Sequence, residues 1–306
     1  MTATPFPAEL ETIRDWVRYA VSRFSAARVH FGHGTDNAFD EAVFLVLAHL
    51  ALPLDQLDPY LDARLTASEK STLHAALERR VVERVPVSYL THQAWLGDFR
   101  FYVDERVVIP RSYIAELLRE QLAPWIADPA LVSTVLDLCT GSGCLAILAA
   151  DAFPNAEVDA VDISANALAV AQHNVADYGL QDRINLVRSD LFRNVNAEDK
   201  TYDLIITNPP YVTQAAMAEL PAEYLHEPQL GLASGEDGMD AIRQIVDGAR
   251  SYLNVGGLLV AEAGHNREWV EKAFPALPFT WLDTSSGQDK VFLLKRDELP
   301  VAHGVD

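Results

Sequence analysis

The residues best suited to chemistry stand together at Asn208-Pro209-Pro210-Tyr211. They follow an apolar run, Leu204-Ile205-Ile206-Thr207, that reads as a buried strand. Two prolines lack N–H donors and fix φ, so the strand must stop there. A polar Asn is thus left at a strand end on a stiff turn, with an aromatic close behind. A carboxamide offers one acceptor oxygen and two donor hydrogens, the right partner for another planar amide or amine. The Pro209 carbonyl beside it is a second acceptor, and Tyr211 supplies a flat face. Parallel α/β sheets bind ligands outside the carboxyl ends of their strands. The four residues therefore read as a clamp for a planar NH₂ group. An ordinary strand-ending turn is the structural alternative.

A second set lies at Asp137-Leu138-Cys139-Thr140-Gly141-Ser142-Gly143-Cys144, at the end of another expected strand. Its glycines permit a tight turn and a close backbone approach by a ligand, and the helix that follows favours negative charge at its start. Gly141-x-Gly143-x-x-Ala146 fits a relaxed dinucleotide fingerprint. Asp162, ending the next strand, stands where an acid binding a ribose diol is expected. Asp137 points instead to S-adenosylmethionine: a carboxylate there can meet an ammonium group, whereas a pyrophosphate would be repelled. Asp190, after the third strand, could accept from an adenine amine, with Leu191 and Phe192 packing on the ring. No His or Lys stands out as a hydride-transfer acid, so a dehydrogenase is the weaker reading. The cofactor-binding candidates are Asp137, Thr140, Gly141, Gly143, Asp162, Asp190 and Leu191. No metal is expected, because Cys139 and Cys144 lack a nearby His cluster. These two cysteines also exclude a disulfide framework and suit a reducing compartment.

The elements that must position these groups follow from periodicity. Helical spacing of Leu10, Ile13, Val17, Ala20 and Phe24, then Phe39, Val43 and Leu47, then Leu73, Leu77 and Val81, predicts a small bundle over 1–86, for substrate recognition or as a lid. Residues 87–111 are β-prone, with turn signals at Gly97-Asp98 and Asp104-Glu105, and read as a β-hairpin linker. Ser112 is expected to cap the next helix. Residues 112–306 form the catalytic domain. Strands are expected at 132–139, 157–163, 184–188, 202–207, 258–263, 279–284 and 290–295, with helices at 144–152, after Ser164, over roughly 237–253 and at 266–274. The closing pair is near enough in sequence for a hairpin, so one strand runs antiparallel. Seven mostly parallel strands of this kind describe an α/β class I methyltransferase sheet. The irregular stretch 212–236 is long enough to suggest a role, and is assigned to a substrate wall.

Net charge is −20 over 306 residues, with −4 in residues 1–120 and −16 in residues 121–306. So acidic a second part argues against sequence-specific nucleic acid as direct partner and suits a basic protein. No apolar run approaches the roughly 20 residues that span a membrane. Met1 to Leu10 lacks the basic and apolar regions of a secretory signal. A cytoplasmic protein is expected.

Taken together, the glycine loop, Asp162 and Asn208-Pro209-Pro210-Tyr211 resemble the amino-methyltransferases. The whole chain over roughly 10–297 resembles the protein glutamine methyltransferases. Pro86-Val87-Ser88-Tyr89-Leu90, Phe101-Tyr102-Val103-Asp104-Glu105-Arg106, Ile109-Pro110-Arg111-Ser112, Leu136 to Cys144 and Leu220-Pro221-Ala222-Glu223-Tyr224-x-His226-Glu227-Pro228 resemble the branch acting on the third protein of the large ribosomal subunit. The sister branch, acting on release factors, typically carries Pro-Arg-Pro-Asp-Thr-Glu where this chain has Pro110 to Ala115, and Gly-Thr-Gly-Thr-Gly where it has Cys139 to Gly143. Tyr113 departs from the proline common in the ribosomal branch. The resemblance implies S-adenosylmethionine-dependent methylation of a glutamine side-chain nitrogen in a basic ribosomal protein. Asn208 and Pro209 would accept from that nitrogen, and Pro210 and Tyr211 would line the site. Alternatives are a release factor methyltransferase, a DNA adenine methyltransferase and a non-catalytic ribosome assembly factor.

Overall fold

The computed structural model describes residues 7–198 and 200–301. Met1 to Phe6, most of the stretch read for a secretory signal, lie outside the described residues. Contacts divide the chain into two units, residues 1–94 with 221–226 and residues 95–220 with 227–306.

The first unit is helical. α1 (Ile13–Ala27) starts at a capping box in which Thr12 and Asp15 satisfy each other's backbone ends. α2 (Ala38–His49) is capped by Asn37, and α3 (Ala67–Glu78) by a Thr66–Glu69 box. Ile13, Trp16, Val17, Ala20 and Phe24 of α1 close a core with Leu45, Val46, Leu73 and Leu77. α4 (Val87–Thr91) occupies residues expected to be extended. Pro86 sits at its cap, and Ser88 donates to the His33 carbonyl at 3.0 Å, so this β-prone stretch is buried as a helical turn. Residues 221–226 enter this unit as a tight turn carrying Glu223. Its carboxylate accepts from Arg80 Nη1 at 3.0 Å and from the His30 amide at 2.9 Å, while Arg80 Nε donates to Glu41 at 2.6 Å. Arg80, Glu41 and Glu223 are all buried.

The second unit opens with a short hairpin, β1 (Ala94–Leu96) and β2 (Phe99–Phe101), then α5 (Ile114–Arg119). Strand pairing ends at Phe101. Val103, Val107 and Ile109 are buried as expected, but from irregular backbone. The alternating region follows: β3 (Thr134–Leu138), α6 (Cys144–Ala152), β4 (Glu157–Asp162), α7 (Ala165–Asp177), β5 (Ile184–Arg188), β6 (Tyr202–Thr207), α8 (Gln214–Met217), α9 (Asp240–Tyr252), β7 (Leu253–Glu262), α10 (Arg267–Ala273), β8 (Thr280–Thr284) and β9 (Gly287–Lys295). The sheet order is β5-β4-β3-β6-β7-β9-β8, with β9 antiparallel to both its neighbours. This is the seven-stranded class I methyltransferase arrangement. Strands covered on both faces read as continuous apolar runs. In β6, Leu204 and Ile206 join one core with α5 and α6, while Ile205 joins the other with α9. Eight of the nine residues of α6 are buried, because it lies between the sheet and further chain. Strand order reverses between β3 and β6, which makes the space beyond Leu138 and Thr207 the switch-point crevice where ligands bind in such sheets.

Candidate active site

Both sequence motifs meet at that crevice. Leu138 and Thr207 are register partners, and Thr207 Oγ1 donates to the Leu138 carbonyl at 2.8 Å. The glycine loop leaves β3 and Asn208 leaves β6 side by side.

On the β3 side, Asp137 is fully buried and accepts from Thr140 Oγ1 at 2.5 Å. Its other oxygen, Oδ1, is buried without a hydrogen-bond partner. Burial pushes its carboxyl up to about 7, against the opposing pull of the Thr140 hydroxyl and the Ala146 amide, with Asp162 adding a smaller push. An unpartnered buried carboxylate oxygen calls for a cation or a donor from a ligand. The Thr140 side chain thus serves Asp137. Gly143, at φ 81°, is left-handed, and a Cβ there would sit 3.1 Å from Ala171 Cβ, so it lets the loop pack on α7. A Cβ on Gly141 would meet nothing within 4 Å, so its backbone borders open space. Asp162 accepts from the Gly141 amide at 2.9 Å and the Ser164 amide at 2.8 Å, which ties the loop to the end of β4. Burial raises its pKa, and those amides pull the other way.

Asn174, buried in α7, holds the loop from behind. Its Nδ2 donates to the carbonyls of Ser142 at 2.8 Å and Tyr102 at 3.1 Å, and its Oδ1 accepts from the Tyr102 amide at 2.7 Å. This joins the 101–106 stretch to the glycine loop. Within that stretch Asp104 accepts from Arg106 through both oxygens and from the Tyr102 hydroxyl. The Arg106 guanidinium holds the Asp104 carboxyl down at about 2.

At the third strand end, Asp190 is partly exposed and lies 3.4 Å from Arg193. Leu191 packs at the edge of the second core with φ 47°. Phe192, the other residue expected to pack on an adenine ring, belongs to the second core. It stacks on Tyr252 with ring centroids 4.4 Å apart, and Gly248 of α9 leaves just enough room for it.

On the β6 side, Asn208 Nδ2 donates to the Arg111 carbonyl at 3.3 Å. Among the described residues its Oδ1 accepts no hydrogen bond, and neither does the Pro209 carbonyl. Two acceptors therefore stand together at the strand end. Pro210 continues the turn. The Tyr211 ring lies against Gly264, where φ is 55° and a Cβ would come within 2.5 Å of the ring. Its hydroxyl reaches Glu262 Oε1 at 3.4 Å, and burial followed by that carboxylate raises its pKa.

Glu262 and the Arg111–Glu227 pair had no assigned role. Glu262 ends β7 and is buried. It accepts from Ser112 Oγ at 2.6 Å and the Tyr113 amide at 3.0 Å. Burial pushes it up to about 7. Ser112 Oγ also accepts from the Ile114 amide at 3.2 Å, but the N-cap of α5 is Tyr113 rather than the expected Ser112, which lies one residue before it and serves Glu262. A lone acid closing the apolar run Leu258 to Ala261 was the available signal. Glu227 accepts from both Arg111 terminal nitrogens at 2.6 Å and from the Ile109 amide at 2.9 Å. Among the described residues no cluster of three His, Cys, Asp or Glu could hold a metal ion, and no helix is long and apolar enough to cross a membrane.

The chain is similar to known methyltransferases in sequence and in fold. The family model described as Methyltransferase small domain matches residues 115–236. The ribosomal protein uL3 glutamine methyltransferase of Neisseria gonorrhoeae is 58% identical over 291 residues, 95% of this chain and 96% of that protein. Its counterpart in Burkholderia pseudomallei is 56% identical over 310 residues, 99% of this chain and 100% of that protein. Among solved structures, the catalytic domain of hMettl16 in complex with a MAT2A 3′UTR hairpin is similar in fold. It has a TM-score of 0.50 at 13% identity and covers 92% of this chain and 90% of that one.

Proposed function

The chain belongs to the ribosomal protein uL3 glutamine methyltransferase family, and on that premise we propose that it methylates the side-chain nitrogen of a glutamine in the third protein of the large ribosomal subunit. The observation that carries this reading is Asn208: its NH₂ is already engaged by Arg111, which leaves Oδ1 and the Pro209 carbonyl as a pair of acceptors for another NH₂ group.

The residues of the β3 side fit S-adenosylmethionine as methyl donor. Asp137 Oδ1, buried and unpartnered, suits the donor's ammonium. The backbone at Gly141 borders space for it. Each Asp162 oxygen accepts one amide and retains capacity for a ribose hydroxyl. Asp190 and Leu191 are the residues for the adenine. Bound there, S-adenosylmethionine supplies an electrophilic methyl group on a sulfonium.

An amide nitrogen is a poor nucleophile because its lone pair is delocalised. Asn208 Oδ1 and the Pro209 carbonyl hold its two hydrogens, so the lone pair is aimed at the methyl carbon. As the N–C bond formed and the S–C bond of a bound donor broke, leaving a neutral thioether, the nitrogen would gain positive charge and those two hydrogen bonds would strengthen, which is binding realised in the transition state. The extra proton on nitrogen leaves to water. Tyr211, backed by Gly264, packs on the amide plane. Residues 1–86 serve in substrate recognition, 87–111 as a linker, and 212–236 in the substrate wall. Net charge supports a basic protein, rather than sequence-specific nucleic acid, as direct partner, and the free cysteines suit a reducing, cytoplasmic setting away from the membrane.

Labelled-methyl transfer to purified large-subunit protein three, with purified release factor alongside, tests the reading. Asn208→Ala should keep donor affinity within about twofold and lose kcat by about 10²–10³, the scale of removing one preorganised transition-state contact. Near-wild-type turnover in that variant would sink the clamp, and preferential labelling of release factor would sink the substrate.

A further inference from the structure

An asparagine clamp works in one orientation only. Rotated by half a turn, Asn208 would aim its NH₂ at the substrate NH₂, donor against donor. The Arg111 carbonyl prevents this, because a carbonyl only accepts, so the NH₂ end must face it and Oδ1 must face away. This device is useful only if the carbonyl itself is fixed. Yet residues 108–112 belong to no helix or strand.

Two buried carboxylates fix it instead. Glu227, in the chain after β6, takes the Ile109 amide and both arms of the Arg111 guanidinium. Glu262, at the end of β7, takes Ser112 Oγ and the Tyr113 amide on one oxygen, while its other lies by the Tyr211 hydroxyl. Pro110 stiffens the stretch between them. Glu227 and Glu262 are 3% and 1% exposed. Burying carboxylates costs free energy, and among the described residues Glu262 has no ion-pair partner within 4 Å to offset it.

Resting on the clamp reading above, we propose that Ile109–Tyr113 is the orienting strut of Asn208, with Glu227 and Glu262 as positioning residues that hold it from either end. Neither carboxylate touches the methyl group or its acceptor. Both hold the segment that carries the Arg111 carbonyl, and Glu262 also lies by the Tyr211 hydroxyl.

The test is steady-state methyl transfer to purified large-subunit protein three, with donor affinity measured separately. Glu262→Ala and Glu227→Gln should each lower kcat at least tenfold, with KM for the protein and donor affinity within twofold of wild type. Glu262→Gln should restore kcat to within about threefold, because one amide oxygen can accept both Ser112 and Tyr113. In an Asn208→Ala background, Glu227→Gln should cost nothing further, since its effect runs through that side chain. Should Glu262→Ala fail to fold, Ser112→Ala removes one strut contact and should lower kcat several-fold. Wild-type kcat in the strut variants, a loss confined to KM, or full additivity with Asn208→Ala would overturn the proposal. A fully active Asn208→Ala would instead overturn the clamp on which it rests.

Discussion

Asp137 is the group whose protonation should be visible in solution. Its folded pKa, about 7, is raised above the ordinary 3.8 by burial. The ligand-free fold therefore holds a proton there at mildly acidic pH, while an arriving ammonium favours the carboxylate. Donor affinity should rise as pH approaches 7 and level off above it, falling by up to about tenfold per pH unit on the acid side. Asp137→Asn should weaken binding and flatten that slope, as read by calorimetric titration. The sign for stability is opposite. A raised folded pKa means that the ligand-free protein loses stability as pH climbs from the unfolded value toward 7. The Asn variant should lack this loss. Glu262 also titrates near 7, and it remains present in both proteins as a common background. Asp137 was legible in the sequence because its neighbours Gly141 and Gly143 mark the loop. Glu262 was not, since its partners Ser112 and Tyr113 lie about 150 residues earlier in the chain.

Within elements, the glycine loop offers a contrast between two positions of similar backbone. Gly141→Ala and Gly143→Ala both place a Cβ on left-handed backbone, a strain of about 1–2 kcal/mol. Only at Gly143 does the new methyl press on Ala171 of α7. Gly143→Ala should be the less stable in urea, and Gly141→Ala should lose donor affinity with the smaller loss of stability. Cys139 itself has φ 60°, which accounts for a glycine being the usual residue there in the release factor branch. The sheet was legible because its central strands carry buried apolar runs, such as Val135-Leu136 of β3, Leu204-Ile205-Ile206 of β6 and Leu258 to Ala261 of β7. Within 87–109 the expected hairpin forms at 94–101, but its flanks were misleading: Val87, Val103, Val107 and Ile109 are β-prone and buried, yet their backbone is held by turns and side chains. The Ile109 amide, for one, donates to Glu227 rather than to a neighbouring strand. The stretch Ile109–Tyr113, for all its lack of regular structure, thus carries the carbonyl that faces Asn208.

Across the whole molecule, the acidic charge of residues 121–306 is not spent on internal pairing alone. Two of its carboxylates, Asp137 and Glu262, are buried with no ion pair among the described residues, and others remain on the surface for a basic protein to meet. The first unit contains the opposite arrangement, a buried arginine between two carboxylates. Glu223→Ala leaves Arg80 with Glu41 only and removes the acceptor of the His30 amide. It should cost about 3 kcal/mol, measured by denaturant unfolding, as expected for breaking a buried pair. That carboxylate sits in residues 221–226, which arrive in the helical unit thirteen residues after Asn208 in the sequence and then depart. The helical unit is therefore not a contiguous stretch of gene. A single cut after residue 94 would separate Arg80 from Glu223, and no shuffling of this module onto another catalytic sheet succeeds unless the six-residue excursion travels with it.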